Sequence, residues 1–228
     1  MNISLCLLVW NELEGCRQDI PLLPREDFQE IFAVDGGSSD GSVEYLQSMD
    51  IPVYRQPSTG LNAAYCHAVK MAKGEANIVF FPKGTTPVND LLKFRPLLEQ
   101  GHGLVIASRQ IRGAAHEDDR RLLKPRKWAV WLLAILAALL WRREGVFVRD
   151  VLHGIKGFTR KSFVEMKILD YGLSIDLEMV VRAYKLRIPR CEFATQESPR
   201  RYRETHFRFW PTGKLLLSYV WLELWRRN

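Results

Sequence analysis

Cysteine is scarce in this chain of 228 residues. Cys6, Cys16, Cys66 and Cys191 show no C-x-x-C spacing and no histidine cluster beside them. That argues against a structural zinc site and a disulfide scaffold, and leaves ordinary reduced thiols. No Gly-X-Y period, heptad run or long internal repeat occurs, which sets aside fibres and solenoids. Long apolar runs are also missing. The apolar, uncharged stretch WAVWLLAILAALLW at 128–141 has 14 residues, short of the roughly 20 that span a bilayer. The opening MNISLCLLVWNE has neither a basic start nor a small-residue cleavage site, so it is expected to be a first strand and not a signal peptide. The expectation that follows is a cytoplasmic protein.

Apolar residues make up 47% of the chain, enough for one sizeable domain or a domain with an appendage. The net charge of +7 is unevenly spread: residues 1–107 carry −5 and residues 108–228 carry +12. A basic half joined to an acidic half points to a polyanionic partner, whether nucleic acid, anionic lipid or a phosphorylated substrate, or else to a merely solvated basic face.

The first half alternates strand and helix patterns. ISLCLLV (3–9) is a near-continuous apolar run, the mark of a strand covered on both faces. EIFAV (30–34), IPVY (51–54), NIVFF (77–81) and GLVIAS (103–108) read as further strands. Between them, 13–27 reads as helix and loop, and 42–49, 61–74 and 90–100 read as helices. This alternation predicts an α/β fold with a doubly wound, mostly parallel sheet. Ligands of such sheets bind outside the carboxyl ends of the strands, where Glu12, Asp35, Lys83 and Arg109 fall.

The loop DGGSSDG (35–41) fails as an EF-hand, since Asp40 and Leu46 stand at the sixth and twelfth places. It also lacks the G-x-G-x-x-G fingerprint, because Gly36 and Gly37 are adjacent. Two readings remain. It is either a plain turn with Asp40 or Ser42 capping the next helix, or a site where Asp35 accepts a base or ribose and Gly37 lets the ligand approach the backbone.

The series LLVWNE (7–12), EIFAVDGGSSDGS (30–42) and GLNAAYCHAVKMAKGE (60–75) resembles the opening of family-two glycosyltransferases of the GT-A fold. Farther on, ASRQIRG (107–113), RRLLKPRKW (120–128), RDVLHGIKGFTRKSF (149–163), SIDLEMVVRAYK (174–185) and ESPRRYRE (197–204) are similar to the polyprenyl-phosphate branch, such as dolichol-phosphate mannosyltransferases. The resemblance implies transfer of a sugar from a UDP- or GDP-linked donor to an acceptor, with a nucleotide site of Val9, Asn11, Glu12, Asp35, Gly37 and Gly60. Cys66 and Ala68 depart from the third motif, where the family has Asn and Gly. The implied organisation is a nucleotide-sugar half at 1–108, an acceptor half at 109–205 and a membrane-proximal helix at 206–228.

In the second half, Arg109, Arg120, Arg201 and Arg203 are candidates to grip phosphates, because guanidinium makes bidentate contacts with them; solvated surface arginines are the alternative. By the resemblance, Asp150 opens an Asp-x-x-x-Gly segment and Glu178 matches an acid near the acceptor site, with an exposed helix acid as the alternative. His153 reads as structural. A polyprenyl phosphate acceptor is already an anion and needs no general base, whereas an alcohol would draw on Asp176 or Glu178. The apolar helices 128–141 and 214–227 are framed by basic residues and tryptophan. Two such helices point to a peripheral position on an anionic membrane face, with burial as the alternative. Nucleic acid is disfavoured, since the aromatics sit in apolar helices and not among basic residues on a strand platform.

The family's Asp-x-Asp segment falls on FFPKGTTP, so the two acidic positions are Phe81 and Lys83. The usual Mg or Mn ligands are thus missing from the sequence. Three explanations compete. Lys83 with nearby arginines neutralises the diphosphate directly; a metal binds through displaced ligands such as Glu12, Asp35 or Asp150; or transfer is lost and the fold serves to bind a nucleotide, lipid or protein.

Overall fold

The structure, a computed structural model, describes residues 1–115, 125–199 and 209–226. Strand β1 (Ile3–Val9) is buried along its whole length, because parallel neighbours and helices enclose both of its faces. It pairs in parallel with β2 (Glu30–Asp35) and β4 (Ala76–Phe80), and β2 pairs in parallel with β3 (Val53–Arg55). On the other side β5 (Leu104–Ser108) pairs in parallel with β7 (Arg190–Ala194). Between β4 and β5 lies β6 (Lys156–Thr159), antiparallel to both, giving the order β3-β2-β1-β4-β6-β5-β7.

Strand parity divides the core. Cys6 and Leu8 of β1, Phe32 and Val34 of β2, and Leu104 and Ile106 of β5 point to one face. Leu5, Leu7 and Val9, with Ala33, Val105 and Ala107, point to the other. The second face is covered by α1 (Leu13–Asp19), α2 (Ser42–Ser48) and α4 (Phe94–Glu99). The expected helix over 90–100 is split: a 3-10 turn, Val88–Lys93, runs into α4, whose third residue is Pro96, a position where the missing N–H costs nothing.

The first face carries α3 (Leu61–Met71), α5 (Pro125–Trp141), α6 (Arg160–Met166), α7 (Ile175–Lys185) and α8 (Phe209–Trp225). Helix α7 is enclosed on nearly every side, and even Glu178 and Arg182 are fully buried. The apolar helices α5 and α8 lie outside it. Each buries one stripe, Val130, Ala134, Ala137 and Trp141 in α5, and Leu216, Tyr219, Val220 and Glu223 in α8. Each also turns a second apolar stripe outward. Of the described helices, none is long and apolar enough to cross a membrane.

Helix α8 is held to α7 by buried charge. Arg182 donates to Glu223 Oε1 at 2.9 Å and to the Met166 carbonyl at 2.8 Å, and Lys185 Nζ reaches Glu223 Oε1 at 3.0 Å. Breaking such a pair strands a charge in a low-dielectric interior, at a cost of about 3–5 kcal/mol. Glu223→Ala is therefore expected to lower unfolding free energy by about that amount in urea titration. A loss below about 1 kcal/mol would place this pair in solvent-screened surroundings instead.

Candidate active site

The carboxyl edge of the sheet gathers side chains in spatial order from β3 to β5: Arg55, Asp35, the Trp10–Glu12 segment, the Phe81–Gly84 turn, the run into Lys156, and Arg109. Val9 is the last residue of β1, buried opposite Asp35.

Asp35 folds its own loop. Its carboxylate accepts the N–H of Gly37 at 2.8 Å and that of Ser38 at 3.1 Å. Gly37 takes φ +97°, open to glycine without strain. This loop is stitched to the segment after β1. Asn11 N–H donates to Ser38 Oγ and Asn11 Oδ1 accepts from Ser39 N–H, both at 2.8 Å. Glu12 N–H donates to Ser42 Oγ at 3.0 Å, and Leu13 N–H to Asp40 Oδ2 at 3.2 Å. Asp40 and Ser42 thus satisfy the opening donors of α1, and Asp40 Oδ1 also accepts the Ser42 N–H at the start of α2 at 3.1 Å, in line with the cap reading of the loop. Burial works to raise the Asp40 carboxyl, but the Ser42 hydroxyl and the Leu13 and Ser42 N–H groups hold it below its ordinary value.

Asn11, Glu12, Leu13, Gly15, Asp40 and Lys83 line a cleft of about 200 Å³ at this place. Its far wall is the Phe81–Gly84 turn, and that turn is fixed from beneath. A Cβ on Gly15 of α1 would lie 2.7 Å from Lys83 Cα, so helix and turn touch backbone to backbone. Asp19, one turn on, accepts the Gly84 N–H at 2.8 Å. Gly84 takes φ +65°. Lys83 Nζ lies 4.5 Å from the centroid of the Phe81 ring. A cation on an aromatic face therefore occupies the two positions where carboxylates were to be expected.

A second group sits past β5. Asp150 is fully buried, and Arg109 grips it through Nε at 2.8 Å, Nη2 at 3.0 Å and its backbone N–H at 2.9 Å. Arg109 Nη1 also donates to Glu197 at 3.0 Å. Burial raises the Asp150 carboxyl, and the Arg109 charge overrides it, holding it well below the carboxylate range. The His153 ring is paired with the Ala107 carbonyl, and burial with the Arg109 charge pushes it down to about 4, so it is neutral. Lys156 is fully buried and donates to Asp176 at 2.5 Å; burial lowers its pKa, opposed by that carboxylate.

The expected residues separate accordingly. Val9, Asn11, Glu12, Asp35, Gly37 and Lys83 come together at the edge. Gly60 lies at the start of α3 against another loop, where a Cβ would meet the Gly172 carbonyl oxygen at 2.8 Å; it packs backbone and is not in the cleft. Glu178 is neither an exposed helix acid nor a base facing an acceptor. Its oxygens accept from Asn62 Nδ2 at 2.9 Å, Leu169 N–H at 3.0 Å, Arg226 at 2.9 Å and Ser174 Oγ at 3.2 Å. That is a buried clamp joining α3, α7 and the end of α8. Asp150 and Arg109, expected in catalysis and in phosphate grip, are paired with each other. Arg120, Arg201 and Arg203 lie outside the described residues. Asp19 and Lys156 went unread in the sequence. Each is a charge on an otherwise apolar pattern, Asp19 between Cys16 and Ile20, and Lys156 within GIKGF.

The chain belongs to the Glycosyl transferase family 2, whose pattern matches residues 16–166. Glycosyltransferase AglJ of Haloferax volcanii is 27% identical over 205 residues, covering 86% of this chain. The chain spans 64% of the length of that relative. Among solved structures, glucosyl-3-phosphoglycerate synthase from Mycobacterium tuberculosis is similar over 100% of this chain. Its complex with Mn2+, UDP and glucosyl-3-phosphoglycerate gives a TM-score of 0.72 at 15% identity over 81% of that chain. Its complex with Mg2+ and UDP gives 0.73 at 16% identity over 80%. At such identities the likeness is one of fold, and the fold is GT-A.

A divalent cation fits poorly at Phe81 and Lys83. The ring has no donor atom and the ammonium repels a metal ion. Among the described residues no three His, Cys, Asp or Glu side chains form a group that could hold one.

Asp19 yields a pH test. Burial pushes its carboxyl up to about 6 from 3.8, against the Gly84 and Lys83 N–H groups, which lower it. A raised folded value favours the protonated fold, so this stability is full below the ordinary value and lost as pH rises through about 6. A rise from 3.8 to about 6 corresponds to about 3 kcal/mol. Urea unfolding from pH 4 to 8 should show the wild type losing about that much relative to Asp19→Asn, whose amide oxygen can still accept the Gly84 N–H. Parallel stability curves for the two proteins would contradict it.

Proposed function

We propose that this protein transfers a sugar from a UDP- or GDP-linked donor to a phosphate-bearing acceptor at a membrane surface. The observation that carries the reading is the cleft of Asn11, Glu12, Asp40 and Lys83 beside the Asp35 loop, at the edge where this class of sheet holds its ligands. Asp35 and the Gly37 backbone would receive the base or ribose, and Lys83 would face the diphosphate. In the reaction, the bond between sugar C1 and the β-phosphate oxygen breaks and its electron pair stays on that oxygen. A lone pair of the acceptor phosphate oxygen forms the new bond to C1. No proton moves, so no general base is required. The clamped state of Glu178 suits an acceptor of this kind better than an alcohol.

The lipid character of the acceptor is supported by α5 and α8. Trp131 and Leu139 are 51% and 75% exposed, and Trp221 and Trp225 are 65% and 75% exposed. A helix apolar on its outer face as well as its inner one needs a second apolar neighbour. Lys127, Arg142 and Arg143 flank the stripe of α5, as a helix in an anionic interface requires. A further complex of glucosyl-3-phosphoglycerate synthase holds phosphoglyceric acid, so a small soluble phosphate acceptor is the second reading.

Purified protein with UDP- and GDP-sugars is expected to glycosylate polyprenyl phosphate in anionic vesicles and to leave phosphoglyceric acid untouched. Transfer to phosphoglyceric acid alone would establish the second reading. In flotation with the same vesicles, Trp131→Glu/Trp221→Glu/Trp225→Glu should abolish most of the bound fraction. Unchanged flotation of that variant would remove the membrane from the proposal.

A further inference from the structure

We infer that Lys83 supplies the positive charge on the leaving diphosphate, so that this protein binds nucleoside diphosphates without a divalent cation; the inference rests on the donor site proposed above. Three features of the turn support it.

The position is the first. β4 ends at Phe80, in register with Leu7 of β1, and Lys83 follows within three residues to line the cleft with Asn11, Glu12 and Asp40. The backbone there is unusually constrained. Gly15 admits no Cβ against Lys83 Cα, Pro82 is buried, and Gly84 donates to a buried carboxylate. A surface lysine needs none of this support, whereas a charge that must meet a phosphate oxygen does. The third feature is the cation–aromatic pair: the Phe81 ring seats the ammonium at the wall of the cleft.

The charge balance agrees with the chemistry. When the C1–O bond breaks, the nucleoside diphosphate gains one negative charge on the β-phosphate. One ammonium offsets one such charge, and a cation already fixed in place stabilises the charge that develops in the transition state. A divalent ion placed beside that ammonium would meet repulsion that only further carboxylates could offset. Lys83 here is therefore an electrostatic catalyst held by Gly15 and Asp19, and Phe81 is its seat.

The test is calorimetric binding of UDP and GDP to the full chain, each with Mn2+ and again with a chelator. Wild-type affinity is expected to agree within about twofold between the two conditions, while Lys83→Met, matched for shape, weakens it at least tenfold in both. The double substitution Phe81→Asp/Lys83→Asp is expected to bind weakly in chelator and to recover with Mn2+, having regained a carboxylate pair. Melting temperatures confirm that each variant folds. Wild-type binding that needs Mn2+, or that survives Lys83→Met unchanged, overturns this inference and leaves the donor site standing. No binding of either nucleotide by the wild type under any condition overturns both.

Discussion

Everything at the carboxyl edge depends on the parallel pairing of β1 with β2 and β4. Parallel strands point their ends the same way, so the segments after Val9, Asp35 and Phe80 emerge side by side. The single antiparallel strand extends that edge. β6 starts where its neighbours finish, with Lys156 in register with Val79 and Ile106. A reversed strand thus brings His153 and Lys156 to the same rim as Arg109. The rim is continuous because the strand direction is not uniform.

The basic excess of the second half is not all presented to solvent. Part of it is internal: Arg109 on Asp150 and Glu197, Lys156 on Asp176, and Arg182 and Lys185 on Glu223. These charges are compensated and fix geometry, since a buried cation without its partner would cost several kcal/mol. Such pairs contribute more to the choice of one arrangement than to net stability. The acidic first half follows the same logic on a smaller scale, with Asp19, Asp35 and Asp40 all turned to backbone N–H groups of loops they shape. A formal charge count therefore overstates the field that a polyanionic ligand meets.

The strands of the first half were legible because burial on both faces leaves an unbroken apolar run, and their bounds fall within two residues of expectation. The loop DGGSSDG was legible as special but not in its connections. Asp40 serves α1, which precedes it by a full strand, and a local pattern points only to the next helix. Gly15 was silent, since the reason for glycine there is the approach of a turn some seventy residues away. Glu178 was misread because its neighbours Leu177, Val180 and Val181 mark one apolar face, whereas α7 is enclosed all round by α3, α5, α6 and α8. Apolar helices α5 and α8 were plain as helices; that each both packs on the core and presents a second apolar face could be learned only from the fold.

The Glu178 clamp links that outer layer to the site. Asn62 opens α3 next to Gly60, and its amide donates to Glu178 while its oxygen accepts the Ile175 N–H at 2.9 Å. Arg226, just past α8, donates to the same carboxylate. Asp176, at the rim with Lys156, is two residues away on the same helix. The end of α8 and the start of α7 are thus joined through one buried acid. Arg226 gives that carboxylate a charged partner beside the neutral donors Asn62, Ser174 and the Leu169 N–H. Displacing Arg226 would leave the buried Glu178 without its cation, and that cost ties the end of α8 to the start of α7.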